Sequence, residues 1–323
     1  MIKKLVGVFV FILLLLPSFS IAETLDEAED FINKGDDFLS ELNIREANYY
    51  YNQAVKIAPK NDRAWCGKGE TLFYFYPSKY ETALTYIDKA IRLNPKNSHA
   101  LLVKGDILNY TNQATEASAY YNKVLKLSLD DSDYMGWVDR GTALLKFKKY
   151  DEAIKCFDKA ISINPHKTNA YSNKAFILVQ QNKIDETISL LNDAESKNPD
   201  DYKILYLKAN ILANLNKYNE SMISTDKALR LNPNHEGLWI LKGNINELLG
   251  KYANAVESYN NALIINPKNA YTWELKANAY LYIQKYKEAI KSFDEVIKLS
   301  PPDSIAALKA KQKRDYLEKL IQK

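Results

Sequence analysis

The stretch "YDEAIKCFDKAISINP" at residues 150–165 and its counterpart "YKEAIKSFDEVIKLSP" at 286–301 decide the architecture. Apolar residues recur three and four apart and a proline closes each segment, the pattern of an amphipathic helix with a built-in stop. The closing prolines form a ladder: Pro165, Pro199, Pro233, Pro267 and Pro301 stand 34 residues apart. A fixed period of this size means that one supersecondary unit is copied along the chain. Such stacks usually present a surface and carry no chemistry.

The ladder continues upstream once small insertions are allowed. Pro95 follows Pro59 by 36 residues because two residues around Pro77, in "YFYPSKY", lengthen the turn between two helices. Leu129 stands where the next proline would be, and Ser132 and Asp133 lengthen the linker to Tyr134. Eight copies result: 28–61, 62–97, 98–131, 134–167, 168–201, 202–235, 236–269 and 270–303.

Counted within each copy, position 4 is Phe31, Trp65, Leu101, Trp137, Tyr171, Leu205, Trp239 or Trp273, and position 8 is always glycine or alanine, from Gly35 to Ala277. Position 20 is alanine except at Thr187 and Ser221; position 24 is Tyr51, Ile87, Tyr121, Phe157, Leu191, Thr225, Tyr259 or Phe293. The offsets put 4, 8 and 11 on one face of a first helix and 20, 24 and 27 on one face of a second. Small residues at 8 and 20 let the two backbones approach while the aromatics fill the flanking space. With these residues in place, the chain resembles a tetratricopeptide repeat (TPR) protein over nearly all of 28–303. The resemblance implies an all-α fold, a right-handed α-solenoid (superhelix) of tandem antiparallel helix pairs, with residues 304–323 as a C-terminal capping helix. In that helix Ile305, Leu308, Leu317, Leu320 and Ile321 would cover the last copy's apolar flank.

Position 7 departs from the family's common leucine: it reads Lys34, Lys68, Lys104, Arg140, Lys174, Lys208, Lys242 and Lys276. Position 25 alternates Asn52, Asp88, Asn122, Asp158, Asn192, Asp226, Asn260 and Asp294. In a helix pair joined near position 16 the two positions lie at about one height, so the cations are expected to meet these oxygens across each pair, with their stems on apolar surface. A basic stripe for an anionic polymer is the alternative.

Residues 1–22 combine Lys3 and Lys4, an apolar run from Leu5 to Leu16, then Pro17 and a stretch ending Ser20-Ile21-Ala22. This is the pattern of an export signal, with cleavage expected after Ala22. Twelve residues span roughly 18 Å as a helix, short of a roughly 30 Å hydrocarbon core. The alternative is a retained membrane anchor over 5–21, and the membrane is a partner only in that case. The expected location is extracytoplasmic or secreted. The formal charge is +4; without Lys3 and Lys4 it falls to +2, 42 basic against 40 acidic residues. That near balance argues against nucleic acid as a partner.

Of the two cysteines, Cys156 is expected in packing and Cys66 on the inner surface, both as free thiols. Asn109-Tyr110-Thr111 and Asn219-Glu220-Ser221 match the glycosylation acceptor pattern but lie on or near helices. His99, His166 and His235 are isolated in sequence and give no metal-ligand spacing. Gly67-Lys68-Gly69 is a scrap of a phosphate loop inside a first helix, where Gly69 is the required small residue. No catalytic constellation emerges, so the chain is read as a non-enzyme without cofactor or metal.

In the family the first helices line a concave groove, with positions 2, 5, 9, 12 and 13 pointing into it. Carried over, position 9 supplies Asp36, Glu70, Asp106, Asn210, Asn244 and Asn278, and neighbouring groove positions supply Phe73, Tyr74, Tyr110, Tyr206 and Tyr282. Tyrosines and amides suit peptide binding, giving contact area and two-way hydrogen bonding at small entropy cost. A carboxylate clamp of the kind some family members use is disfavoured: Arg63, Lys146 and Lys203 lie in different copies. The expected function is an exported protein-interaction scaffold holding a peptide or protein segment, extended or basic, in the groove. The alternatives are a membrane-anchored assembly module of a cell-envelope complex and a solenoid that binds carbohydrate or another polymer.

Overall fold

Wherever a ladder proline follows a second helix it stops that helix, because the residue before proline is driven out of the helical basin. Asn94 (φ −141°, ψ 96°), Asn164 (φ −140°, ψ 94°) and Asn266 (φ −132°, ψ 85°) each follow the last helical residue of a second helix. The structure, a computed structural model, describes residues 21–40 and 43–322. The expected export signal and anchor lie, up to residue 20, outside the described residues; Ile21 begins the first helix.

The described residues form helices and turns without a strand, in two compact units that divide between Leu129 and Asp130. That is where the proline is missing and two residues are inserted. The first unit pairs α1 (Ile21–Ser40) with α2 (Ile44–Ile57), α3 (Asp62–Phe75) with α4 (Tyr80–Leu93), and α5 (Ser98–Tyr110) with α6 (Ala114–Lys126). A 3-10 turn at Pro77–Lys79 takes up the insertion expected there. The second unit pairs α7 (Tyr134–Lys146) with α8 (Tyr150–Ile163), α9 (Thr168–Gln180) with α10 (Ile184–Lys197), and α11 (Tyr202–Asn214) with α12 (Tyr218–Leu231). It continues with α13 (Glu236–Leu248) and α14 (Tyr252–Ile265), then α15 (Ala270–Tyr282) and α16 (Tyr286–Leu299), and ends in α17 (Ile305–Ile321). Each pair packs on the next within its unit, so each unit is a solenoid segment of helix pairs.

The columns read from sequence meet as packing. A Cβ on Gly35, Gly105, Gly141 or Gly243 would lie 2.7, 2.4, 2.6 or 2.3 Å from the ring at position 24 of the same copy: Tyr51, Tyr121, Phe157 or Tyr259. Position 8 is small, then, because the position 24 ring lies directly on the backbone. The two departures at position 20 stay buried by satisfying their hydroxyls, Ser221 on the Ala209 carbonyl at 2.7 Å and Thr187 on that of Lys183 at 2.9 Å.

The turns repeat as strictly. Position 15 takes the left-handed conformation at Asn112, Lys148, Asn182, Asn216, Gly250 and Gln284, with φ between 57° and 71°. The next residue donates back across the helix end, as in Lys149 N to Leu144 O at 3.0 Å, which closes a Schellman motif. At the other turn, the indoles of Trp65, Trp239 and Trp273 donate to the carbonyls of Pro59, Pro233 and Pro267 at 2.8–2.9 Å. Trp137, which has no ladder proline before it, donates to Asp130 O at 3.2 Å. Asn94 and Asn97 both donate to Asp62, and Asn266 and Asn269 to Glu236, pinning the end of a copy to its beginning.

Three expectations are corrected. Four of the position 7 cations find their oxygen at position 25 of the preceding copy, not at position 25 of their own. Lys104 meets Asp88 at 2.5 Å, Lys174 meets Asp158 at 2.5 Å, Lys208 meets Asn192 at 2.6 Å and Lys242 meets Asp226 at 2.8 Å. Lys34, with no copy before it, turns to Asp30 at 2.6 Å, and Lys276 lies over the Trp273 ring at 4.4 Å. In α17, Ala307, Ala310 and Leu317 are buried, whereas Ile305 is 72% and Leu308 55% exposed and Leu320 and Ile321 are also exposed. The small residues at 307 and 310 admit the close approach of α16. Cys66 is buried, 2% exposed, and not on a surface; Cys156 is buried as expected, and both are thiols outside any disulfide.

Candidate functional site

Within each unit neighbouring first helices touch: α1 with α3 and α3 with α5 in the first, α7 with α9, α9 with α11 and α11 with α13 in the second. Their free faces form the inner wall of each unit, and the residues nominated for binding lie on these helices.

In the first unit, position 9 meets position 2 of the following copy. Arg63 donates to Asp36 at 2.8 Å and also to Glu29, and His99 Nε2 lies 2.9 Å from a Glu70 oxygen. Burial disfavours the Arg63 charge, but Asp36 and Glu29 outweigh it and hold its pKa above the ordinary value. Glu70 itself is only 6% exposed. Beside it Phe73, also buried, meets Tyr110 edge-on at 5.2 Å and Tyr74 at 6.0 Å. The negative charge of Glu70, then burial, raises the Tyr74 phenol above its usual range, yet about half of this side chain faces solvent. Tyr110 is likewise exposed. Asp106 accepts from Tyr121 at 2.7 Å, as Asp36 does from Tyr51 at 2.6 Å. Glu29, Asp36, Glu70 and Asp106 thus leave an acidic excess over Arg63, next to an aromatic cluster whose outer rings are open.

In the second unit the nominated residues are spread more widely. Tyr206 packs against the His235 ring at 5.2 Å, and the Asn210 amide donates to the Tyr206 carbonyl at 2.9 Å. Asn244 accepts from Tyr259 at 2.8 Å, and Asn278 accepts from Lys313 of α17 at 2.9 Å. Tyr282, 64% exposed, stacks on Tyr252 at 4.2 Å. The structure brings Glu70, Phe73, Tyr74 and Tyr110 into one cluster and gives the carbonyl oxygens of Asn244 and Asn278 internal partners. Reading position 9 alone misses Glu29, His99 and Lys313. Glu29 and His99 could have been found from position 2, which falls 27 residues after position 9 of the copy before, or 29 where the copy is longer. Lys313 lies in α17, outside the repeat, and no column points to it.

Among the described residues no group of three or more His, Cys, Asp or Glu could hold a metal ion, and no helix is long and apolar enough to cross a membrane. Paired helices in tandem, with polar and aromatic side chains on the first-helix wall, define a helical-repeat scaffold. The tetratricopeptide repeat signature matches residues 74–132, 134–167, 202–235, 237–269 and 270–303, and the chain belongs to that family. Residues 28–40 with 43–61, and 168–201, form the same helix pairs. Among solved structures, yeast Tom70 is similar with a TM-score of 0.67 at 20% identity, over 95% of this chain and 66% of that one. The Cut9–Hcn1 hetero-tetramer of the APC/C gives 0.49 at 18% identity, over 91% and 56%. A tetratricopeptide repeat protein of Parabacteroides merdae gives 0.47 at 19%, over 79% and 99%. At 20% identity the likeness to Tom70 is one of fold, and the chain spans about two thirds of that protein. No curated protein sequence matches the chain.

Proposed function

We propose that the chain is an exported, non-catalytic scaffold that holds an extended, basic peptide or protein segment against the first-helix wall of its first unit. The observation that carries this reading is the wall's acidic excess beside open aromatic rings: Glu29, Asp36, Glu70 and Asp106 next to Tyr74 and Tyr110. Carboxylates supply charge-assisted acceptors for lysine and arginine, and the tyrosines supply contact area at small entropy cost. Export rests on the pattern of residues 1–22.

The test is fluorescence anisotropy with arrayed extended peptides, basic and acidic, against the wild type and an Asp36→Asn, Asp106→Asn variant. Asparagine keeps the oxygen that accepts from tyrosine, as Asn244 does, so folding is preserved while charge is removed. Basic peptides should bind the wild type and weaken by about tenfold in the variant, roughly 1.4 kcal/mol. Equal binding by both proteins would remove the acidic wall as the site. A mature N-terminus at Glu23, read by mass spectrometry, is the expected mark of export, whereas retention of Met1 would favour the anchored alternative.

A further inference from the structure

Position 11 is large and apolar or aromatic in seven copies: Phe38, Leu72, Leu108, Leu144, Leu178, Leu212 and Tyr280. In the copy at 236–269 it is Asn246, only 4% exposed. Across the pair, position 23 is tyrosine in the first three copies (Tyr50, Tyr86, Tyr120) and serine in the last three (Ser224, Ser258, Ser292). Only here do a small polar 11 and a small polar 23 coincide, and a cavity of about 350 Å³ is left between α13 and α14, edged by Met222 of α12. Asn246 donates to Ser258 Oγ at 3.5 Å, a long bond for a buried amide. Keeping a weakly satisfied amide where the seven other helix pairs have an apolar residue or a tyrosine carries a stability cost. A ligand that completes its hydrogen bonds gives that cost a purpose.

The lining sets the chemistry of that ligand. Position 19 is glutamate in six copies (Glu46, Glu116, Glu152, Glu186, Glu220, Glu288) but Asn254 here, and Asn261 adds a third amide. Amides donate and accept at once, which suits hydroxyl groups. Trp239 supplies a flat apolar wall. Lys242 is held by Asp226 at 2.8 Å, and Lys251 and Glu257 at the rim oppose each other in sign, so the site has no bias toward a charged guest. The volume lies at the low end of small-molecule sites, roughly 300–1,000 Å³. We infer that this cavity binds a single neutral sugar residue, either free or at the end of a glycan. It shares no residue with the proposed peptide wall and stands or falls apart from it.

Saturation-transfer NMR and calorimetry on the full chain test this with glucose, galactose, mannose and N-acetylglucosamine, and with their methyl glycosides for a chain-end residue. At least one should bind saturably. Asn246→Leu restores the residue of five other copies, removes the amide and narrows the cavity, and should weaken that binding at least about tenfold while the Tm holds or rises. Asn254→Glu, at the exposed rim, restores the common acid and should also weaken it, and it serves where Asn246→Leu fails to fold. Binding only by the free form or only by the methyl glycoside identifies the source of the sugar. No binding by any of these at millimolar concentration, undiminished binding by both variants, or a preference for zwitterionic amino acids over sugars would overturn the assignment.

Discussion

The phenol of Tyr51 donates to the Asp36 carboxylate at 2.6 Å while its ring lies between Gly35 and Gly67, where added Cβ atoms would stand 2.7 and 2.3 Å away. One side chain thus fills the interior of its own copy, contacts the next, and fixes a carboxylate on the wall where a partner is proposed to bind. Burial, then the charge of Asp36, pushes the phenol far above its ordinary range, so it stays a donor at any working pH. Tyr121 with Asp106 and Tyr259 with Asn244 repeat the arrangement.

The ring explains the glycine, and that can be measured. A Cβ on Gly105 would lie 2.4 Å from the Tyr121 ring, which is buried and cannot swing away. Overpacking costs about 1–3 kcal/mol, against about 1 kcal/mol that alanine regains through helix propensity. Gly105→Ala should therefore lose up to about 2 kcal/mol in urea denaturation. In a Tyr121→Leu background the same change should be neutral or stabilising, since Ala175 and Leu191 occupy the equivalent places in a later copy. An equal loss in both backgrounds would show that the ring does not set the requirement.

The copies themselves explain what was legible in the sequence. Positions 4, 8, 20 and 24 face the same neighbours in every copy, so repetition exposes them. The position 7 row was legible in type but not in partner: Lys104 is 18 residues from Asn122 and 16 from Asp88, and both routes cross a helix–helix turn. Which face of the first helix looks back at the preceding copy decides between them, and spacing does not carry that. The double role of Asp36 and Asp106 was hidden for a related reason. Their oxygens belong both to the wall and to a tyrosine fifteen residues away, a link that shows only when positions 9 and 24 are compared copy by copy. The cavity at Asn246 is the opposite case, a departure from the columns, which a consensus reading passes over.

Lys148 and Gln284 hold φ at 57°, a conformation that glycine alone adopts without strain, as Gly250 does at 71°. Left-handed backbone costs an ordinary residue about 1–2 kcal/mol, partly offset by the greater freedom of glycine in the unfolded chain. Lys148→Gly and Gln284→Gly should each gain about 0.5–1 kcal/mol, and Gly250→Ala should lose about 1 kcal/mol. Chemical denaturation of the three single variants checks the sign; a gain from Gly250→Ala would contradict the turn assignment.

Glu195 joins two copies of the second unit, accepting from Lys208 at 2.5 Å and from Lys227 at 2.7 Å. Burial alone would raise its pKa, but the two lysine hydrogen bonds outweigh burial and hold it below the ordinary 4.5. A depressed folded pKa gives stability that is present above the unfolded value and is lost as pH falls through the folded one. Glu195→Gln should therefore cost about 1 kcal/mol at pH 7, given the partial exposure of the pairs. The difference from wild type should shrink below pH 4.5 and vanish well under the folded pKa. A difference that is constant from pH 7 to pH 3 would rule out the charge as its cause.

The first copy ends the stack by changing the residues at which every other copy packs. Position 3 is buried at Ala64, Ala100, Gly136, Ala170, Ile204, Leu238 and Thr272, and position 10 is buried at Thr71, Ile107, Ala143, Ile177, Ile245 and Ala279. In α1 the same positions are Asp30 and Asp37, both exposed, with exposed Asn33 between them at position 6. A polar outer face keeps a terminal repeat soluble and stops it from stacking on another molecule. Restoring the column with Asp30→Ala, Asn33→Leu and Asp37→Ile would expose a contiguous apolar patch of the kind that drives association. Sedimentation velocity should then show concentration-dependent self-association of the variant at concentrations where the wild type shows none. A monomeric variant with an unchanged Tm would mean that other features of α1 end the stack.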